Sequence, residues 1–231
     1  MLKLAIGNKN YSSWSMRPWV LLRHFNIRFE EHMLRFDSFG AESQFKQAVR
    51  QWSPVAKVPV LRDGELLVWD TLAIAEYLAE YAAQHHPALA LWPRASAARA
   101  RARSLCAEMH SGFGALRSAC PMNIEASLPE VGARALAEQP AVVEDLARLT
   151  AMWGEALAAS GGPFLFGEFS IADAYFAPVA ARMRGYALPL PAALSAYVDQ
   201  LWASPGVAAW VQEALAEHDF RDFEEPFRQT R

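Results

Sequence analysis

Thiols are scarce in this chain: Cys106 and Cys120 are its only cysteines, and they form no C-x-x-C pair. That argues against a disulfide scaffold and against dithiol redox chemistry, and leaves both as packing residues. Long apolar runs are also missing. No stretch is long enough to span a bilayer, and the amino-terminal MLKLAIGNKN turns polar after a short apolar core, so neither a membrane span nor a signal peptide is expected and the cytosol is the expected compartment. There is no excess of positive charge either: the net charge is -3 over 231 residues, with 53% apolar and 20% charged content. This is the balance of a globular chain, and nucleic acid is not an expected partner. The adjacent His85-His86 has no Cys, Asp or further His beside it, so no metal site is expected.

What the sequence does have is concentrated between Ser53 and Tyr81. Val58 to Leu61 and Leu66 to Trp69 are apolar runs separated by Arg62-Asp63-Gly64-Glu65, and an Asp-Gly pair in that position predicts a hairpin. Pro59 has no N–H to give a ladder, which implies an edge, a strand start or a cis peptide. After Trp69 the apolar period lengthens to that of a helix, with Leu72, Ala75, Leu78 and Ala79 on one face and Asp70 or Thr71 as the N-cap. Val58 can then offer a free N–H and C=O to a ligand backbone, while the helix start offers unpaired N–H groups to a carboxylate. A small peptide-like anion suits that arrangement, and an ordinary capped hairpin accounts for the same residues.

The spacing Ser53-Pro54-x-x-Lys57-Val58-Pro59, followed by Trp69-Asp70-Thr71-Leu72-Ala73-Ile74, resembles the glutathione-binding domain of the glutathione S-transferases. The resemblance implies that Val58, before a cis Pro59, pairs with the cysteinyl backbone of glutathione, that Asp70 and Thr71 hold the γ-glutamyl end, and that Lys57 joins the same site. Tyr11-Ser12-Ser13-Trp14-Ser15 is similar to the serine motif of the zeta class, which includes maleylacetoacetate isomerase. By that likeness Ser12 is the thiolate-stabilising hydroxyl, with Ser13 in reserve. Trp14 stands where the zeta motif has a cysteine, so chemistry attributed to that cysteine does not carry over.

Along the chain, Leu2 to Ile6 reads as a buried strand, and three serines ahead of Pro18 and the run Trp19 to Leu22 mark a helix ending near His24. Ile27 to Leu34 reads as a strand and residues 43–52 as a short helix, giving the order βαβαββα. Residues 82–93 have the two prolines of a linker. Beyond them only helices are expected: Arg94 to Ala119, Ala141 to Ala159, Ile171 to Arg182 behind a Ser170/Asp173 capping box, Ala192 to Trp202, and Val207 to Ala216. Pro121 and Pro129 bound a loop, Arg99, Arg101 and Arg103 lie on a solvated or dimer-facing surface, and Phe220, Phe223 and Phe227 pin the tail.

The resemblance therefore implies a thioredoxin-like α/β domain at 1–81, a linker at 82–93 and an all-helical domain at 94–231. It implies a cytoplasmic homodimer that binds glutathione as cosubstrate, without a metal, and conjugates its thiol to a small electrophile. Met109, His110, Phe113 and Arg117 are the expected electrophile-site residues, with Arg184 as a carboxylate partner. The alternatives are a zeta-like isomerase of maleyl-type diacids and a catalytically silent binding protein of the same fold.

Overall fold

Strand β1 (Leu2–Ile6) carries almost wholly buried side chains, as its unbroken apolar run requires, and it lies inside a four-stranded sheet of order β2-β1-β3-β4. In this computed structural model, which describes residues 1–231, β2 (Phe29–Met33) runs parallel to β1 while β3 (Val60–Asp63) runs antiparallel to it. Strand β4 (Leu66–Trp69) closes the hairpin, with Val60 opposite Trp69 and Asp63 opposite Leu66. The hairpin is present but tighter than expected: β3 starts at Val60 rather than Val58 and takes in Arg62 and Asp63, so only Gly64-Glu65 turn, with Gly64 at φ +55°, where a side chain would be strained.

The helices of the first half are α1 (Ser13–His24), α2 (Gln44–Arg50) and α3 (Thr71–His85). Helix α1 begins a turn earlier than a first-turn proline would place it: Pro18 sits inside the helix, and Ser12 is the N-cap. Helix α3 continues past Tyr81 to His85, so the segment expected as linker starts as helix, and its buried face includes Ala75 and Leu78 as expected, with Ile74 and Ala82, while Leu72 and Ala79 are only half-buried.

The second half is helical throughout: α4 (Ser96–Ser111), α5 (Gly114–Ala119), α6 (Pro129–Glu138), α7 (Pro140–Ser160), α8 (Ile171–Gly185), α9 (Ala192–Trp202) and α10 (Pro205–Ala216). The single helix expected from Arg94 to Ala119 is divided. Phe113 takes φ +57° between α4 and α5, and a Cβ at Gly112 would lie 2.8 Å from the Glu108 carbonyl oxygen, so the chain turns there. Helix α6 was not expected; it occupies residues past Pro129, which stands at its first position. The Ser170/Asp173 capping box is present at the start of α8. No helix is long and apolar enough to cross a membrane.

One apolar core runs through both halves, and Trp19, Trp153 and Trp210 are its largest fully buried side chains. Each such ring removes about 150 to 250 Å² from water, roughly 4 to 6 kcal/mol of burial. Trp19 belongs to α1 and meets Trp210 of α10 at 5.2 Å between ring centroids. Helix α1 packs on α3, α8 and α10, so it is the shared wall of the two halves, and its N-terminus opens into the cleft between them.

Candidate functional site

Two adjoining cavities lie at the amino ends of α1 and α3, of about 650 Å³ and about 550 Å³, and Trp14, Lys57 and Val58 line both. The smaller one also takes in Pro59, Asp70, Thr71 and His110. The Val58-Pro59 peptide is cis. Neither the N–H nor the C=O of Val58 has a hydrogen-bond partner in the protein, and the Thr71 N–H, first in α3, also has no acceptor. Asp70 caps α3 by accepting from the Leu72 N–H at 2.8 Å, at a backbone φ of +75°.

Five side chains tie this end of the cleft to the helical half. Arg17 Nη1 lies 3.4 Å from Thr71 Oγ1, Thr71 Oγ1 lies 2.8 Å from the Tyr175 hydroxyl, and that hydroxyl lies 3.3 Å from His110 Nδ1. His110 Nε2 in turn lies 3.2 Å from Asp70 Oδ2. A carboxylate only accepts, which orders the chain for a neutral imidazole: Nε2–H donates to Asp70, Nδ1 accepts from Tyr175, Tyr175 accepts from Thr71, and Thr71 accepts from Arg17. The Thr71 hydroxyl is thus committed, and its backbone N–H is the group left for a ligand.

The larger cavity is lined by Ser12 and Ser13 from α1, by Arg117 and Met122, and by Arg182 and Glu224. The loop that carries the serines is held from both sides. The Asn8 side chain donates to Asp219 Oδ2 at 2.8 Å and accepts from the Phe36 N–H, the Lys9 ammonium pairs with Glu31 and Glu213, and Asn10 accepts from Glu125. Ser12 is buried, and its hydroxyl makes no cap bond; it donates to Ser15 Oγ at 2.8 Å, which also accepts from the Gly7 N–H at 3.1 Å. The N–H groups of Trp14 and Ser15 have no acceptor, so the helix start presents free donors beside two hydroxyls, a place suited to a thiolate.

Trp14 carries two guanidiniums, with the Arg17 carbon 4.3 Å and the Arg117 carbon 4.9 Å from its ring centroid. Burial pushes the Arg17 guanidinium down to about 10, with the neighbouring Arg117 charge acting in the same direction, and burial does the same to Arg182. Arg17 and Arg182, absent from the sequence expectations, carry a local signal only in being arginines on otherwise apolar helix faces. The tail closes the far wall: Glu225 accepts from the Tyr11 hydroxyl at 2.8 Å and from Asn123 at 2.9 Å and pairs with Arg228. Polar groups do most of that pinning, while Phe223 stays exposed against Phe39.

Of the expected electrophile-site residues, Arg117 lines the larger cavity and His110 the smaller one. Met109 and Phe113 are buried in the core and line neither. Arg184 also lies outside both cavities, paired with Asp199 at 2.5 Å on the surface, which removes the geometric basis for a carboxylate role there. Cys106 and Cys120 are buried, and burial raises both thiols, the second to about 11. Arg101 and Arg103 pair within the chain, with Glu155 and Glu76. No group of three or more His, Cys, Asp or Glu side chains capable of holding a metal is present.

Residues 11–81 match the glutathione S-transferase N-terminal domain and residues 95–213 the glutathione S-transferase C-terminal domain. Among solved structures, the chain is similar to a glutathione transferase homolog from Burkholderia GL BGR1 with bound glutathione, at 24% identity and a TM-score of 0.63 over 93% of this chain and 98% of that one. It is also similar to the theta class glutathione S-transferase of Xanthomonas axonopodis pv. citri with glutathione bound, at 23% identity and a TM-score of 0.63 over 91% and 96%. A Tau class enzyme from mango, Mangifera indica, aligns at 20% identity with a TM-score of 0.68 over 94% and 96%. No curated protein matches the chain.

Proposed function

Since the chain belongs to the glutathione S-transferase family, we propose that it binds glutathione across the smaller cavity and conjugates the thiol, at the mouth of the larger one, to an electrophile. The supporting observation is the pair of cavities sharing one wall, with unpaired backbone groups of Val58 and Thr71 on one side and the Ser12 and Ser13 hydroxyls on the other. Val58 pairs with the cysteinyl backbone in this reading, Asp70 receives the γ-glutamyl ammonium, and the Thr71 N–H receives the adjoining carboxylate. Lys57, exposed and without an ion pair, is left for the remaining carboxylate.

A free thiol with a pKa near 8.5 is only a few per cent ionised at neutral pH, so catalysis needs groups that prefer the anion. Ser12, with the free N–H groups at the start of α1, fills that role, and Ser13 is the reserve. The halves 1–81 and 94–231 act as the glutathione-binding and electrophile-binding domains, and a cytoplasmic homodimer belongs to the same reading. Calorimetry with glutathione, followed by glutathione-dependent turnover over a panel of electrophiles, tests it. Binding and turnover are expected; binding without turnover of any acceptor would leave a silent binding protein, and absence of binding would remove the reading altogether.

A further inference from the structure

Exposed cations of this protein either pair, as Arg101 does with Glu155, Arg103 with Glu76, Arg148 with Glu108 and Arg184 with Asp199, or are solvated. The guanidiniums around the larger cavity differ in being unpaired while Arg17 and Arg182 are buried. Arg117 and Arg182 both line it, and neither makes an ion pair; Arg17, behind Trp14, has none either. Resting on the conjugation reading above, we propose that the electrophile taken by this cavity bears a carboxylate, and that Arg117 and Arg182 receive it.

Arg182 is built to hold still. It is 5% exposed, its Nε donates to the Cys120 carbonyl at 2.8 Å and its Nη1 to the Pro178 carbonyl at 2.9 Å, which leaves Nη2 without a protein acceptor in a side chain that faces the cavity lining. Arg117 hydrogen-bonds the protein through Nη1 alone, at 3.4 Å from the Gly112 carbonyl oxygen, so Nε and Nη2 have no protein acceptor. A fork with two free donors beside a fixed third donor matches a planar carboxylate better than a point charge does.

The electrostatics point the same way. Burying a guanidinium without a counter-ion is costly, and here Arg17 and Arg182 are both buried, with a buried Arg17 Nε that has no partner. Arg17 and Arg117 act on Arg182 as like charges, adding to the burial that already disfavours its charged form. An anion between them relieves that repulsion, and no side chain does so: the one acid lining the cavity is Glu224, pushed up to about 7 by burial and by its neighbour Glu225, and hence a weak counter-ion at neutral pH. Lys46 and Lys57 also line the cavity, but from the first half beside Val58, with the Lys46 ammonium held 2.9 Å from the Ala56 carbonyl oxygen. Those two lie on the glutathione side, and the arginines on the opposite wall.

The test uses adducts that carry the second group on the glutathione sulfur. Affinities of S-(4-carboxybenzyl)glutathione and S-(3-carboxypropyl)glutathione are measured by calorimetry against the S-benzyl and S-butyl forms, with glutathione itself alongside. At least one acid is expected to bind about tenfold more tightly than its neutral counterpart, as one guanidinium–carboxylate contact allows. Arg117→Gln is expected to bring that ratio close to one, and Arg182→Lys to lower it in part. Equal affinity of acid and neutral adducts on the wild-type protein overturns the inference while glutathione binding stands. A preference that survives in Arg117→Gln overturns the assignment to these residues, and this variant decides the matter if Arg182→Lys does not fold. Failure of the wild-type protein to bind glutathione at all overturns the conjugation reading first, and this inference with it.

Discussion

Replacing Ser12 by alanine tests how the thiol is held as an anion. In the free protein the Ser12 hydroxyl donates to Ser15 Oγ, and Ser15 Oγ also accepts from Gly7 N–H. A hydroxyl hydrogen can rotate to suit its partners, so with a thiolate bound the pair is expected to reverse, Ser15 donating to Ser12 and Ser12 to the sulfur. A hydrogen bond to a charged acceptor contributes about 1.5 to 3 kcal/mol, and one pKa unit corresponds to about 1.4 kcal/mol, so Ser12→Ala is expected to raise the bound thiol by roughly one to two units. Ser15→Ala removes the polarising second bond and also the acceptor of the Gly7 N–H, so its titration is read beside its melting temperature. Cooperative strengthening of about 10 to 30% predicts a rise of roughly 0.1 to 0.7 unit there. The assay is the ultraviolet thiolate absorbance of the glutathione complex against pH for wild type, Ser12→Ala, Ser13→Ala and Ser15→Ala. A shift in Ser13→Ala with none in Ser12→Ala moves the role by one residue. No shift in any of them refutes hydroxyl stabilisation and leaves the Trp14 and Ser15 N–H groups as the donors.

Asp70→Asn keeps an oxygen to cap Leu72 while losing the charge, so it is expected to weaken glutathione binding about tenfold by calorimetry with little change in melting temperature; unchanged affinity would remove Asp70 from the ammonium site. His24 is stacked on Phe169 at 3.5 Å with a buried, unpartnered Nδ1, and burial lowers its pKa from 6.5 to about 4. Between those values the unfolded chain takes up a proton that the native one refuses, so stability is lost as pH falls from about 6.5 to about 4, by about 1 to 2 kcal/mol once the ring's partial exposure is allowed for. His24→Phe should flatten that part of a urea-denaturation profile against pH, and an unchanged slope would contradict the account. A Cβ at Gly206 would lie 2.4 Å from the Val20 carbonyl oxygen, so Gly206→Ala should force α1 and α10 apart at a cost of about 1 to 3 kcal/mol, read as a lower denaturation midpoint. Arg184→Ala, breaking an exposed pair with Asp199, should leave stability within about 0.5 kcal/mol and turnover unchanged, and a lost activity would reinstate it as a site residue.

What the sequence made legible was local. Asp63-Gly64 specified a hairpin because few residues tolerate that turn, and Ser170 with Asp173 marked the start of α8 because a capping box is a chemical device with fixed spacing. The misplaced features depend on what touches what. Helix α1 runs through Pro18, since apolar packing on three helices outweighs the missing hydrogen bond. The break between α4 and α5 needs a left-handed Phe113, a conformation that propensity does not announce. Arg184, the expected carboxylate partner, is two positions from Arg182 on the same helix, but nearly a half-turn separates them, placing Arg184 on the surface and Arg182 in the cavity wall. Likewise nothing in the spacing of Arg17, Arg117 and Arg182 foretells their meeting, which three separate helices bring about.

Trp14 is a wall of both cavities. Its ring contacts the guanidinium of Arg17, which donates to Thr71 beside the smaller cavity, and that of Arg117, which lines the larger. Two occupants that press on one partition are thermodynamically linked. Whatever factor glutathione applies to the affinity of the second ligand, the second ligand applies to that of glutathione. On the proposed conjugation reading, a change at Trp14 therefore tunes a coupling and not a single affinity, and the same coupling governs how readily a conjugate spanning both cavities lets go.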